Sequence, residues 1–99
     1  MKSNYLNLVG LANRARKITT GEELIIKDIQ AGKVALLLMA QDVGDQTKKK
    51  LRDKCTTYEV PYMEVDDRYT LGHAIGKSER VAIAILDNGF AKKIRTLLS

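Results

Sequence analysis

The segment Val34-Ala35-Leu36-Leu37-Leu38-Met39-Ala40 is continuously apolar, and it decides the fold class. A run of this length after Gly32 predicts a β-strand that is buried on both faces. A second run, Val81-Ala82-Ile83-Ala84-Ile85-Leu86, has the same character. A sheet with two such strands needs helices on both sides, because neither face can be left to water.

The segments around these strands predict the covering helices. Apolar residues at helical spacing indicate helices over residues 4–15, 20–31, 45–59 and 70–75, and a last helix after Asp87-Asn88-Gly89. We expect short extended segments at 17–19 and 62–65. The predicted inward residues are Tyr5, Leu8, Val9, Ala12, Ala15, Ile25, Ile26, Ile29, Leu51, Cys55 and Tyr58. The alternation predicts an α/β protein, a three-layer α/β/α sandwich with a small mixed sheet of about four strands.

Length and composition indicate an ordinary globular chain. We expect residues 1–99 to form one domain, with 44% apolar and 29% charged residues. The single cysteine, Cys55, excludes an internal disulfide and fits a reducing compartment. No apolar run approaches the roughly 18 residues of a membrane span, and no signal-peptide pattern opens the sequence. We therefore expect a cytoplasmic protein that does not bind membranes.

The charge is basic and uneven. Net charge is +5, from 17 Lys+Arg against 12 Asp+Glu. Residues 1–20 carry Lys2 and three further basic residues without an acid, and residues 87–99 carry three basic residues against Asp87. A run of three lysines, 48–50, adds to this. The pattern favours a polyanionic partner such as nucleic acid, although a lysine run is also typical of a solvated helix face.

Residues that would support catalysis, metal binding or a cofactor are missing from the sequence. It has no Walker A or GxGxxG pattern. Its one histidine, His73, and Cys55 stand on different predicted elements, with His73 at the surface and Cys55 inward. Asp66 and Asp67 precede a short helix, where cap and turn roles are expected. We therefore predict no catalytic residues, no metal and no cofactor.

The start of the second helix is the most informative candidate site. Thr20 and Glu23 have capping-box spacing, and a helix N-terminus presents free N–H groups that suit phosphate. Lys27 could reach a phosphate or pair with Glu23 at i,i+4. Leu24 lies at the margin of the apolar face, which fits packing, a protein contact or a base edge.

Several motifs resemble one known family. They are Gly21 with Lys27, Ile29-Gln30-Ala31-Gly32-Lys33, Ala40-Gln41-Asp42-Val43, Val60-Pro61-Tyr62 and Leu71-Gly72-His73-Ala74-Ile75-Gly76-Lys77 before Arg80-Val81. Their order from Lys17 to Leu86 resembles the ribosomal protein L7Ae/L30e family, whose members bind kink-turn RNA. The segment from Gly10 to Lys17 is similar to the small bacterial YlxQ-type members.

The resemblance implies RNA binding through the start of the second helix and the loop 76–80. In the family, the residue matching Gly21 lets the backbone approach RNA, the one matching Glu23 is usually Asn or Lys reading a guanine, and the one matching Leu24 is usually Glu or Gln. The expected RNA-binding residues are Gly21, Glu22, Glu23, Leu24, Lys27, Lys33, Lys77 and Arg80, with Arg14, Arg16 and Lys17 extending the basic surface.

Two hypotheses about function follow. The first is a non-catalytic RNA-binding protein of the ribosome or translation apparatus, with structured RNA and ribosomal or other translation proteins as partners. The second is a protein–protein interaction module on the same fold. It rests on Leu24 and the two glutamates Glu22 and Glu23, because a carboxylate cannot donate to guanine and leucine forms no hydrogen bond.

Overall fold

The computed structural model describes residues 5–99, which form five helices and four strands. The elements are α1 (Tyr5–Arg14), β1 (Ile18–Thr20), α2 (Glu22–Gln30), β2 (Leu36–Met39), α3 (Asp45–Thr57), β3 (Tyr62–Glu64), α4 (Arg68–Ala74), β4 (Ala82–Ile85) and α5 (Asn88–Leu98). Each agrees with a predicted element to within a few residues. Lys2 and the predicted helix start at residue 4 lie outside the described residues.

The four strands form one mixed sheet in the order β1-β4-β2-β3. The two apolar strands occupy its centre, where β2 and β4 pair antiparallel with Leu36 opposite Ile85. At one edge β3 runs parallel to β2, and at the other β1 runs antiparallel to β4. The predicted mixed sheet of four strands is confirmed.

Alternate residues of the central strands pack against different helices. Leu36 and Leu38 point into a cluster with residues of α1, α4 and α5. Leu37 and Met39 point into a second cluster with residues of α2 and α3. All four side chains are fully buried. The sheet is therefore covered on both faces, and the predicted three-layer sandwich is confirmed.

Two residues that were predicted to face inward are exposed. Ala15 follows the last residue of α1, and Tyr58 follows the last residue of α3 and is 44% exposed. Both predictions assumed that the helix, and with it the buried face, continued past the residue where it ends. After Tyr58 the chain turns back through Glu59 at φ 57°.

α1 and α2 end in the same way and at the same end of the sheet. In each, the second residue beyond the end is left-handed, Arg16 at φ 59° and Gly32 at φ 73°. The next amide reaches back to a helix carbonyl, from Lys17 to Ala12 at 2.8 Å and from Lys33 to Asp28 at 3.0 Å. These are Schellman ends, which satisfy terminal carbonyls with backbone groups.

Candidate nucleic-acid interface

The start of α2 is fixed by a glycine in a conformation that other residues rarely adopt. Thr20 is the last residue of β1 and pairs with Ile83, so the helix begins only after Gly21, at φ 92° and ψ 127°. No side chain caps the helix. The predicted capping box of Thr20 and Glu23 is therefore wrong, because Thr20 belongs to strand β1 and Gly21 is the N-cap residue. The first N–H groups of α2 have no intrahelical partner and no side-chain cap among residues 5–99.

The loop before β4 lies beside this helix start. Gly21 and Glu22 on one side, and Glu79 and Arg80 on the other, line a shared depression of about 210 Å³. Its floor is closed by residues of α3 and β4, Thr47, Leu51, Val81 and Ala82. The two segments that the sequence assigned to one surface are thus adjacent.

A close backbone contact holds the loop against α4. Gly72 is buried in α4, and a Cβ added there would lie only 2.5 Å from Glu79 Cα and 2.7 Å from its backbone nitrogen. Any larger residue at this position would push the loop away from the helix. Gly72 therefore sets the position of the loop without touching the exposed surface.

Arg68 also holds the loop, and the sequence analysis did not identify it. Its Nη2 donates to the backbone oxygen of Asp42 at 2.6 Å, and its Nη1 to Glu79 Oε1 at 3.4 Å. Its own backbone oxygen accepts from the Arg80 amide at 2.9 Å. Asp42 belongs to one of the family-like motifs, but no local pattern connects it to a residue 26 positions away.

The Glu22 carboxylate forms an ion pair with one lysine of the run 48–50 on α3. Lys50 Nζ donates to Glu22 Oε2 at 3.0 Å. The hydrogen bond from Lys50, with a second from Thr47, holds the pKa of Glu22 below its usual value. Lys48 pairs with Glu64 at 3.0 Å, whereas Lys49 is exposed. Two of the three lysines therefore tie helix α3 to other elements.

The other predicted residues of α2 form an open surface. Leu24 is 60% exposed, so the packing alternative is excluded. Glu23 and Lys27 are exposed, and no ion pair joins them in the part of the chain that the structure describes. Their charges are available to a partner. We call Gly21, Glu22, Glu23, Leu24, Lys27, Lys77 and Arg80 the helix-start surface.

Lys77 and Arg80 differ although they share a loop. The Lys77 side chain is exposed, while its amide donates to the Gly72 oxygen at 2.9 Å. Arg80 is half-buried, and its Nη1 donates to the Glu79 oxygen at 2.6 Å. The Arg80 side chain is thus held in place, whereas the Lys77 side chain has no hydrogen bond or ion pair within residues 5–99.

The remaining predicted basic residues lie elsewhere. Arg16, Lys17 and Lys33 line a depression of about 390 Å³ at the opposite end of α2, which is nine residues or about 13 Å long. Arg14 lines a groove between α1 and α4, where it neighbours His73. Arg14, Arg16 and Lys17, which were expected to extend the basic surface, therefore do not line the depression at the helix start, and neither does Lys33.

Residues considered for other chemistry have structural roles or lie at the surface. His73 is exposed, and burial raises the pKa of the Cys55 thiol to about 11. Asp67 caps α4 by accepting from the Thr70 amide at 2.8 Å, and Asp66 accepts from the Tyr5 hydroxyl. Within residues 5–99 we find no group of three metal-ligating side chains, and no helix there has the length and apolarity to cross a membrane.

Comparisons with known proteins assign the family. The chain is 50% identical over 94 residues to the RNA-binding protein YlxQ of Bacillus subtilis, covering 95% of this chain and 94% of the relative. A Bacillus halodurans protein of unknown function superposes with a TM-score of 0.94 at 47% identity, over 98% of both chains. The Giardia lamblia 15.5kD RNA binding protein superposes with a TM-score of 0.77 at 25% identity, over 93% of this chain and 85% of the other. The family model described as ribosomal protein L7Ae/L30e/S12e/Gadd45 matches residues 3–95, and the chain belongs to this family.

Proposed function

We propose that this protein is a non-catalytic RNA-binding protein that acts in the cytoplasm with the translation apparatus. It binds structured RNA through the helix-start surface. Relatives named as RNA-binding proteins support the choice of RNA, since one of them is similar over nearly the whole chain. Kink-turn RNA is the first structure to test, because the family resemblance points to it.

One observation carries the proposal. The first N–H groups of α2 have no side-chain cap and lie beside the loop that contains Arg80. Gly21 has no side chain, so it leaves the backbone at the helix start accessible. Free amides at a helix N-terminus bind phosphate oxygens and attract negative charge. Lys27 projects from the same helix and adds a positive charge. A backbone phosphate seated at the helix start would bring nearby bases within reach of Glu23 and Leu24.

Glu23 and Leu24 set the kind of recognition that we expect. The carboxylate of Glu23 can accept from an exocyclic amine, as of cytosine, but it repels phosphate. The exposed Leu24 can contact a base only through apolar packing. Both differ from the residues that the resemblance implies. We therefore propose that affinity comes mainly from the backbone amides, Lys27 and Arg80.

A fluorescence-anisotropy titration tests this. Wild-type protein is titrated with a kink-turn RNA and a matched straight duplex across a salt series, and we expect about tenfold tighter binding of the kink-turn. The double variant Lys27→Ala, Arg80→Ala should bind about tenfold more weakly, because two phosphate contacts are lost. The matched control, Arg52→Ala with Lys93→Ala, removes the same two charge types from exposed positions elsewhere. Equal affinity of the Lys27/Arg80 variant and wild type at moderate salt would contradict the proposal.

A second candidate function is favoured by Leu24. A leucine that is 60% exposed beside a free carboxylate fits a protein contact as well as a nucleic acid. Capture of partners from lysate with and without nuclease treatment separates the two functions. A partner that survives nuclease and is lost with Leu24→Ala would support a protein-interaction module.

A further inference from the structure

Five basic side chains gather on a surface that the proposed function does not use. Three line the depression at the far end of α2, and two line a larger one of about 700 Å³ between α5 and the edge strand β3. Ala35 and Asn88 line both depressions, so the two are adjacent. We call the five residues the basic face: Arg16, Lys17, Lys33, Lys92 and Arg95.

The positive charges of the basic face have no internal partner. None of the five side chains forms an ion pair or hydrogen bond with another residue in the 5–99 range. Among the described residues, no aspartate or glutamate lines either depression. Three acids stand five positions from a residue of the basic face, and each already has a partner. Glu22 pairs with Lys50, Asp28 accepts from the Thr19 hydroxyl at 2.6 Å, and Asp87 accepts from the Phe90 amide at 2.9 Å. By contrast, Glu22 and Glu79 line the depression at the helix-start surface.

Helix ends explain only part of this surface. Basic residues near helix C-termini are favoured by the helix dipole, which accounts for Arg16, Lys17 and Lys33 beside the ends of α1 and α2, and for Arg95 in the last turn of α5. At each of these two ends, backbone amides beyond the helix already satisfy three of the last four carbonyls. Lys92 lies in the middle of α5, four residues after Asn88 and so on the same helix face. The dipole gives no reason for a lysine at that position.

We infer that the basic face is a second RNA contact, which binds the phosphate backbone of a segment beyond the one at the helix-start surface. Lysine and arginine, together with Asn88, Thr96 and Ser99 in the same depression, are the donors that contact phosphate and sugar without reading sequence. The inference rests on the proposed function for its partner. The surface itself is separate, because it shares no residue with the helix-start surface and its depressions lie at the other end of α2, about 13 Å from Glu22.

The test uses two RNAs that differ only in reach. One is a minimal kink-turn hairpin, and the other is the same hairpin with a single-stranded extension of about ten nucleotides. This extension is longer than helix α2. The variant Lys33→Gln, Lys92→Gln takes one lysine from each depression. The control, Lys49→Gln with Lys93→Gln, removes two exposed lysines that line neither depression, one of them adjacent to Lys92.

We expect the extension to tighten wild-type binding about tenfold and to steepen its salt dependence. The Lys33/Lys92 variant should lose that gain, with a salt slope lower by about two, while the control keeps it. Equal slopes for variant and control would overturn the inference. If Lys27→Ala, Arg80→Ala has no effect but Lys33→Gln, Lys92→Gln does, the helix-start proposal fails and the basic face stands.

Two further outcomes would overturn the inference. Wild-type protein that binds neither RNA at low salt removes the proposed function and this inference together. A nuclease-resistant partner that Lys33→Gln, Lys92→Gln releases, without any change in RNA affinity, would mean that the basic face binds an acidic protein.

Discussion

The two ends of α2 present different binding groups to a polyanion. The helix-start surface offers backbone amides, an exposed leucine and charges of both signs, and its geometry depends on Gly21, Gly72 and Arg68. The basic face offers five positive side chains in two depressions that no acid of residues 5–99 lines. A surface built from fixed backbone can select RNA shape, whereas uncommitted lysines and arginines mainly add affinity.

This difference predicts which substitutions matter at each end. At the helix-start surface, a change that moves the backbone should cost more than the loss of a charge. At the basic face, the charge should matter and the backbone should tolerate change. The following predictions test the contrast in order of decreasing effect.

The largest effect is expected from Gly72→Ala. The added Cβ would lie 2.5–2.7 Å from three backbone atoms of Glu79, so the loop must shift. We expect a loss of about 2–3 kcal/mol in the free energy of unfolding, measured by urea denaturation. Kink-turn affinity should fall as well, although Gly72 is buried and cannot touch RNA.

Gly44→Ala is the matched control for this prediction. Gly44 has φ −61°, and a Cβ there would have no neighbour within 4 Å. Its effect should stay within about 0.5 kcal/mol. A Gly72→Ala protein with wild-type kink-turn affinity would mean that the position of the loop does not govern recognition.

A smaller effect is expected from Glu23→Asn. The carboxylate has no side-chain partner among residues 5–99, so its replacement should cost only the interaction of an acid with the helix dipole, about 0.3–1 kcal/mol. Asparagine removes one repulsive charge and restores a donor that can reach a guanine edge. Kink-turn RNA should bind about tenfold tighter, with a much smaller gain for a straight duplex.

Asp53→Asn controls for the change in net charge, because it removes one exposed carboxylate from α3. It should change the affinity of either RNA less than twofold. Equal gains for kink-turn and duplex with Glu23→Asn would show a general charge effect. The helix-start surface would then add affinity without selecting shape, as the basic face does.

The sequence predicted the sheet and its layers because Leu36 to Met39 and Ala82 to Ile85 are apolar at every position, which only a covered central strand tolerates. The prediction that Arg16 and Lys17 lie beside the start of α2 was wrong for a physical reason. Lys17 precedes Gly21 by four positions, but β1 lies between them and carries the chain about 10 Å. The link from Arg68 to Glu79 was missed because it forms only when α4 and the loop are folded together.

The smallest effect comes from a residue that belongs to the basic face and to a strained turn at once. Arg16 is left-handed at φ 59°, where glycine is favoured, and Glu59 is left-handed at φ 57°. Replacing either by glycine relieves steric strain but adds freedom to the unfolded chain, so we expect a net gain of about 0.5–1 kcal/mol in each. Urea denaturation measures both.

The RNA affinities of these two variants should then diverge. Arg16→Gly removes a charge from the basic face and should weaken binding of the extended RNA about threefold, since one phosphate contact is lost. Glu59→Gly removes a carboxylate and no basic residue, so its affinity should not fall. Because both variants relieve the same kind of turn, a loss confined to Arg16→Gly can come only from its side chain. Equal affinities of the two variants for the extended RNA would mean that Arg16 does not contact RNA and acts only in the turn.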